Sequence, residues 1–336
     1  VQVRGEMPVA ELVDAVVDAG VLRGPGWVFR AYLEVHGAGA RLKPGPVRLT
    51  DAMTPAQIAR RLAAGLGPVY VRVTLPEGFD RHEIATRLEA RGVCPAEAFL
   101  AATARSTLLD RLELPGRTAE GYLFPDTYEL AMDTDPAEVV ARMVRTFRRR
   151  MLPLIARHPD GLAALRSDLD FGLHQVVTLA SIVEKEAARA DERPVIAGVF
   201  LNRLRSPDFT PKRLQADPTV SYGCRPGEAG DEPLASCAGF AEDGRITRRM
   251  LDDPANPYNT IRHEGLPPGP IANPGVSSLE AVLAPARHDY LFFVAAGEGR
   301  HHFSRTLSAH ERAIRRYLRP EGAEGRGASA EVRGGP

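Results

Sequence analysis

Glu186 is the residue of this sequence best set to act as an acid. Leu179, Ile182, Val183 and Glu186 fall at i, i+3, i+4 and i+7, so a helix over 173–190 carries Glu186 at the end of an apolar stripe. At roughly 100° per residue, Glu184 lies about 160° around that helix from Glu186, and both carboxylates cannot enter one pocket. Burial on such a stripe disfavours the charged form and raises the pKa. Lying in the last turns of a helix acts in the same direction. A carboxyl still protonated near neutrality is what a general acid needs. The alternative is a partly buried glutamate tied to Arg189 or Arg203, because structural ion pairs also perturb pKa.

Polar residues in stiff turns follow. Leu214-Gln-Ala-Asp-Pro-Thr219 and Tyr222 place Gln215, Asp217 and Thr219 in a Pro-bounded turn. Such groups can bond sugar hydroxyls or orient a carboxyl. Tyr258-Asn-Thr260 and Gly265-Leu-Pro-Pro-Gly-Pro-Ile-Ala-Asn-Pro-Gly275 come next. Prolines stiffen a loop that has little regular hydrogen bonding. A preorganised wall of this kind suits a groove for a polar polymer; a Pro-rich connector is the plainer reading. Other chemistries find no support. There is no GxSxG, P-loop or HExxH, and the nine histidines are scattered without an i, i+4 pair. No metal or cofactor is expected.

The elements that must position these residues are legible in outline. The chain has 336 residues, 44% hydrophobic and 26% charged, enough for a real core and two domains. Forty-three basic and 43 acidic residues leave no net charge, which argues against a sequence-independent nucleic-acid binder. No run of 18 apolar residues occurs, so no bilayer span is expected. The start at Val1 suggests that a leader or anchor has been removed. Val9 to Val17 read as an amphipathic helix ended by Gly20, 69–75 as a strand, and Ile84 and Leu88 mark a helix stopping at Gly92. Glu11-Leu-Val, Gly20-Val21 and Trp27 recur as Glu83-Ile-Ala, Gly92-Val93 and Phe99, at an offset of 72. Two copies of a small βαα unit would make a binding or docking lobe, with chance similarity as the alternative. Residues 119–128 read as a rigid turn, 136–157 as a helix with a solvated basic face, and 192–205 as a helix. Residues 206–278 read as irregular, a length that is usually functional. A hairpin over 290–304, a last helix over 307–318 and a disordered tail at 319–336 complete the chain. The three cysteines are no disulfide scaffold; Cys224 and Cys237 either bridge locally or stay reduced with Cys94.

The motifs also carry a resemblance. Gly121-Tyr-Leu-Phe-Pro-Asp-Thr-Tyr128, Ala180-Ser-Ile-Val-Glu-Lys-Glu186, Phe200-Leu-Asn-Arg-Leu204, Leu214-Gln-Ala-Asp-Pro-Thr219, Tyr258-Asn-Thr260 and Gly265-Leu-Pro-Pro-Gly269 occur in order. Together they closely resemble the YceG-like endolytic murein transglycosylases, over residues 1–318. The resemblance implies an α+β fold: a small LysM-like lobe at 1–68, a mixed α+β catalytic region at 69–318 with a long Pro/Gly-rich groove loop, and the tail. It implies a bacterial enzyme that cuts nascent peptidoglycan strands internally and leaves 1,6-anhydro ends. It places the body on the periplasmic face of the inner membrane, with an N-terminal anchor and cell-wall synthases as partners.

By the same resemblance Glu186 is the catalytic acid and then base. Gln215, Asp217, Thr219, Tyr222, Tyr258, Asn259, Thr260, Glu120 and Asn273 are the expected substrate-binding set. Asp217 is expected to orient by hydrogen bonding, and Glu184 to support the scaffold. An oxidising location favours the Cys224–Cys237 bridge. Two departures stand out: Ile261 replaces a second tyrosine that the family often has after Tyr-Asn-Thr, and 224–257 is longer than usual. Two other readings stay open: a glycan-binding module without activity, and a hydrolase using Glu186 with Asp217.

Overall fold

A computed structural model describes residues 1–3, 7–22, 24–35, 45–47, 49, 53–64, 70–230, 232–240 and 244–318. The expected tail at 319–336 and Val69 lie outside the described residues. The chain is mixed α+β, divided into two compact units.

The first unit comprises Val1–Val73, Leu88–Cys94 and Tyr128–Thr134. β1 (Gln2–Val3) pairs antiparallel with β2 (Gly45–Pro46). α1 (Val9–Asp18) packs on α2 (Gly26–Val35), and α3 (Pro55–Ala64) joins their core through Ile58, Ala59 and Leu62. α1 buries Leu12, Val13 and Val16, the face that its i, i+3, i+4 spacing dictates. β3 (Tyr70–Thr74) pairs with β4 (Thr127–Ala131).

The echo at an offset of 72 is structural. α4 (Arg81–Ala90) occupies the positions of α1 shifted by that offset, and Gly20 and Gly92 both end their helices at φ +67°. Each supplies the left-handed residue that closes a helix. The match fails one helix later. Phe99, on α5 (Ala96–Thr103), is fully buried, whereas Trp27 is 73% exposed and Phe29 is buried instead.

The second unit holds the remaining described residues. After α5 and α6 (Ser106–Arg111) comes α7 (Pro136–Arg157). The Asp135 carboxylate accepts from the Ala137 N–H at 3.0 Å, and Pro136 fits the first turn. Arg142, Arg145, Arg148, Arg149 and Arg150 form its solvated face. α8 (Pro159–Leu169), α9 (Leu173–Glu186), α10 (Arg193–Arg205) and α13 (Val276–Leu283) form the helical core. α9 buries every residue from Val176 to Val183. β5 (Phe292–Gly297) and β6 (Arg300–Ser304) make an antiparallel hairpin covered by α14 (Leu307–Leu318).

Two expectations change. The helix expected to run to 190 ends at Glu186, where Ala187 turns extended. A 3-10 turn, Ala190–Glu192, then leads into α10. Alanines carry no stop signal, so periodicity overran the end. The stretch 206–278 is not wholly irregular. It contains α11 (Asp217–Gly223), a 3-10 turn at Ala235–Cys237 and α12 (Arg248–Leu251). These are too short to show a period.

Candidate active site

Glu186 is the last residue of α9, at the exit of a stripe whose Leu179, Ile182 and Val183 are fully buried. It keeps partial exposure. Among the described residues nothing hydrogen-bonds or ion-pairs with its carboxyl, and its oxygens are not sealed from solvent. Desolvation, then the negative charge of Asp217, push its pKa up to about 7, against the pull of Arg203. The carboxyl is thus accessible, free of partners and able to hold or release a proton near neutrality.

Asp217 opens α11, is exposed, and is itself raised by desolvation. Gln215, two residues before it, is exposed and sits at φ +55°, in the left-handed region. That turn is clamped to the Tyr258–Thr260 loop. The Gln215 N–H donates to the Thr260 carbonyl at 3.1 Å, and the Ala216 N–H donates to Thr260 Oγ1 at 3.1 Å. Thr219 Oγ1 donates to the Ala216 carbonyl at 2.6 Å and lies 2.9 Å from Thr260 Oγ1. Tyr258 is partly buried, with its ring edge-on to Tyr222 at 5.0 Å. Glu186, Gln215, Asp217 and Tyr258 are therefore the expected site residues that retain exposure.

The other expected residues are buried and engaged in internal hydrogen bonds. Asn259 Nδ2 donates to the carbonyls of Met250, Leu251 and Asp253 at 3.2, 3.1 and 2.9 Å. Tyr222 Oη donates to Glu120 Oε2 at 3.1 Å. The Arg81 N–H donates to the same oxygen at 2.8 Å, and Asn273 Nδ2 donates to Glu120 Oε1 at 2.6 Å. Asn273 Oδ1 in turn accepts the Leu123 N–H at 2.8 Å. Burial, then the charge of Asp80, push Glu120 up to about 8. Gly121 makes this turn possible: it has φ +85°, and a Cβ there would stand 2.5 Å from Pro270 and 2.8 Å from Val177. Thr219 and Thr260 are buried in the clamp already described.

Glu184 faces elsewhere. It accepts from Arg193 at 2.9 Å, the Gly275 N–H at 3.0 Å and Ser278 Oγ at 2.7 Å. It ties α9 to α10 and to the start of α13. Cys224, just after α11, is disulfide-bonded to Cys237, and Cys94 is buried. Among the described residues no group of three or more His, Cys, Asp or Glu side chains could hold a metal ion.

Five residues around the site escaped the sequence. Arg81 and His82 converge on Glu228 at 2.7 and 3.1 Å behind the Glu120 cluster. His174, at the start of α9, bonds Tyr122 Oη at 2.9 Å. Arg203, weighed only as an ion-pair partner, is a buried cation beside the site. Its position three residues after Phe200 was the available signal.

The sequence model of the YceG-like family matches residues 1–316. The chain belongs to the YceG-like family. It is 29% identical to the endolytic murein transglycosylase of Bacillus subtilis, over 86% of this chain and 77% of the relative. It is 28% identical to the endolytic murein transglycosylase of Streptococcus pneumoniae, over 92% of this chain. The chain spans 56% of that relative's length. A crystal structure of a YceG-like protein from Listeria monocytogenes superposes with a TM-score of 0.57 at 28% identity, covering 93% of this chain and 98% of that one. All the motif residues of this YceG-like chain named above fall inside the matched span.

Proposed function

We propose that this chain is an endolytic murein transglycosylase, a lyase that cuts the MurNAc–GlcNAc β-1,4 bond within nascent peptidoglycan strands. The observation that carries the reading is Glu186: a desolvated carboxyl with no protein partner among the described residues, held near pKa 7. The similarity to proteins named endolytic murein transglycosylases supports it over most of the chain.

Protonated Glu186 gives its proton to the glycosidic oxygen, and the C1–O4 bond breaks. An oxocarbenium-like charge develops at C1 of MurNAc. The Glu186 carboxylate then takes the proton of the same sugar's 6-hydroxyl, whose oxygen closes on C1. The product is a 1,6-anhydro ring, no water is consumed, and Glu186 ends protonated. A pKa near 7 suits both halves of this cycle, because acid and base forms are both populated at neutrality. Gln215, Asp217 and Tyr258 line the groove and orient sugar hydroxyls. Thr219, Tyr222, Asn259, Thr260, Glu120 and Asn273 hold its walls.

Residues 1–68 form a LysM-like lobe and 69–318 the catalytic region with its groove loop. The enzyme works outside the cytoplasm, on the periplasmic face of the inner membrane, held by an N-terminal anchor beside cell-wall synthases. There it terminates glycan chains. No helix of the described residues is long and apolar enough to cross a membrane.

One observation favours a second reading. Asp217 is the carboxylate whose charge acts on Glu186, and a hydrolase would use such a pair with water. The mass of the products separates the two. Anhydro ends are one water lighter per cut than hydrolytic reducing ends. Reducing ends alone would overturn the lyase reading and move Asp217 into the reaction.

A further inference from the structure

Arg203 is a buried cation with an unusual set of neighbours. It is 5% exposed, and its guanidinium carbon lies 5.5 Å from the ring centre of Phe209, 5.8 Å from Phe292 and 5.9 Å from both Phe200 and Phe293. Nε donates to the Leu291 carbonyl at 2.7 Å, and Nη1 donates to the Leu214 carbonyl. Among the described residues no carboxylate lies within ion-pair distance of it. The carboxylate whose charge acts on it is Glu186. A guanidinium taken out of water into an aromatic cage is costly unless it does something there.

We propose that Arg203 is a positioning residue for the reaction: it pins the Leu214 carbonyl, and so the Gln215–Asp217 turn, while its fixed positive charge acts on the Glu186 carboxyl. The inference rests on Glu186 being the acid. Leu214 immediately precedes Gln215, whose positive φ persists only if the surroundings hold it. Arg203 holds the turn from one side, and Thr260 holds it from the other through the Gln215 and Ala216 N–H groups.

The charges around Glu186 come from identifiable elements. Asp217 on α11 and Arg203 on α10 oppose one another there. Lys185 and Glu184 share α9, with Glu184 committed to Arg193, Gly275 and Ser278. Arg203 also faces His310 on α14, whose ring stacks on Phe292 at 5.2 Å. Lysine cannot replace the fork, because one ammonium does not span two carbonyls in this fixed geometry.

The test titrates the Glu186 carboxyl by NMR in carboxyl-13C-glutamate-labelled protein, assigned against Glu186→Gln. It compares wild type, Arg203→Met and Arg203→Lys, with kcat/KM measured against pH on purified murein. Removing the cation should raise the Glu186 midpoint by about one unit. The limb at which activity falls with rising pH should move up with it. Arg203→Lys should leave the midpoint in place yet lower kcat by about tenfold or more through misplacement of the turn. An unmoved midpoint in folded Arg203→Met overturns the proposal, and so does full kcat in Arg203→Lys. If Arg203→Met does not fold by circular dichroism, the Arg203→Lys result decides. Activity surviving in Glu186→Gln while the midpoint still shifts would sink the acid assignment and leave the charge coupling standing.

Discussion

At the scale of the residue, Glu186 was visible in the sequence because its position is local information. Three aliphatic residues at helical spacing place it, and α9 buries them as expected. Glu120 was not visible as a buried centre, because its partners lie 39, 102 and 153 residues away. No window of sequence brings Arg81, Tyr222 and Asn273 together. The internal bonds of Asn259 and Asn273 were not visible for a related reason: an amide that could bind a hydroxyl serves a carbonyl of the chain equally well. The Glu186 carboxyl near pKa 7 has a kinetic consequence. The reaction needs its protonated form, so kcat/KM should fall as pH rises through about 7. Asp217→Asn removes the charge that raises Glu186 and should move that limb to lower pH with activity retained. A pH-rate profile of the variant checks this, and complete loss of activity would make Asp217 a participant in the chemistry.

At the scale of the element, long periodic helices were legible and short ones were not. α7 and α14 follow the expected bounds because several turns of pattern agree on one buried face. α11 has seven residues and a Pro-bounded start, so only its turn could be read. Yet α11 is where the site is stapled. Asn256 Nδ2 donates to the Val220 carbonyl at 3.1 Å, and Cys224 bonds Cys237 across 13 residues. A loop of this size stabilises by about 3 kcal/mol on closure. Cys224→Ser with Cys237→Ser should therefore lower the unfolding free energy by about that amount in urea titration. Thiol counting on the denatured, unreduced protein should find one reactive thiol, that of Cys94. Asn259→Ala removes the amide that donates to the Met250, Leu251 and Asp253 carbonyls; the first two keep the Asp253 N–H and Arg262 Nε as donors, and the loss should cost about 1–3 kcal/mol. A stability equal to wild type would show that the loop is held by other means.

At the scale of the whole molecule, two desolvated acids bias stability in one direction. Glu186 near 7 and Glu120 near 8 both lie above their ordinary value of 4.5. Between that value and their folded values the native state binds more protons than the unfolded chain. Stability should therefore fall as pH rises from about 5 to about 8. Glu228 is shifted the other way, so its contribution is complete above its ordinary range and is lost only in acid. Urea unfolding across that window should show the decline, weakened in Glu120→Gln; a stability that climbs with pH would contradict the desolvated-acid account. The internal echo was legible down to its helix-ending glycines, but Trp27 and Phe99 part company because the smaller unit fills its core with Phe29 and Leu33. The measurement that tests the central claim most directly is mass spectrometry of muropeptides after purified murein is incubated with wild-type protein and with Glu186→Gln. Internal fragments ending in 1,6-anhydro-MurNAc, present with wild type and absent with Glu186→Gln, are the predicted result. Anhydro ends still produced by Glu186→Gln, or reducing ends produced by wild type, would contradict it.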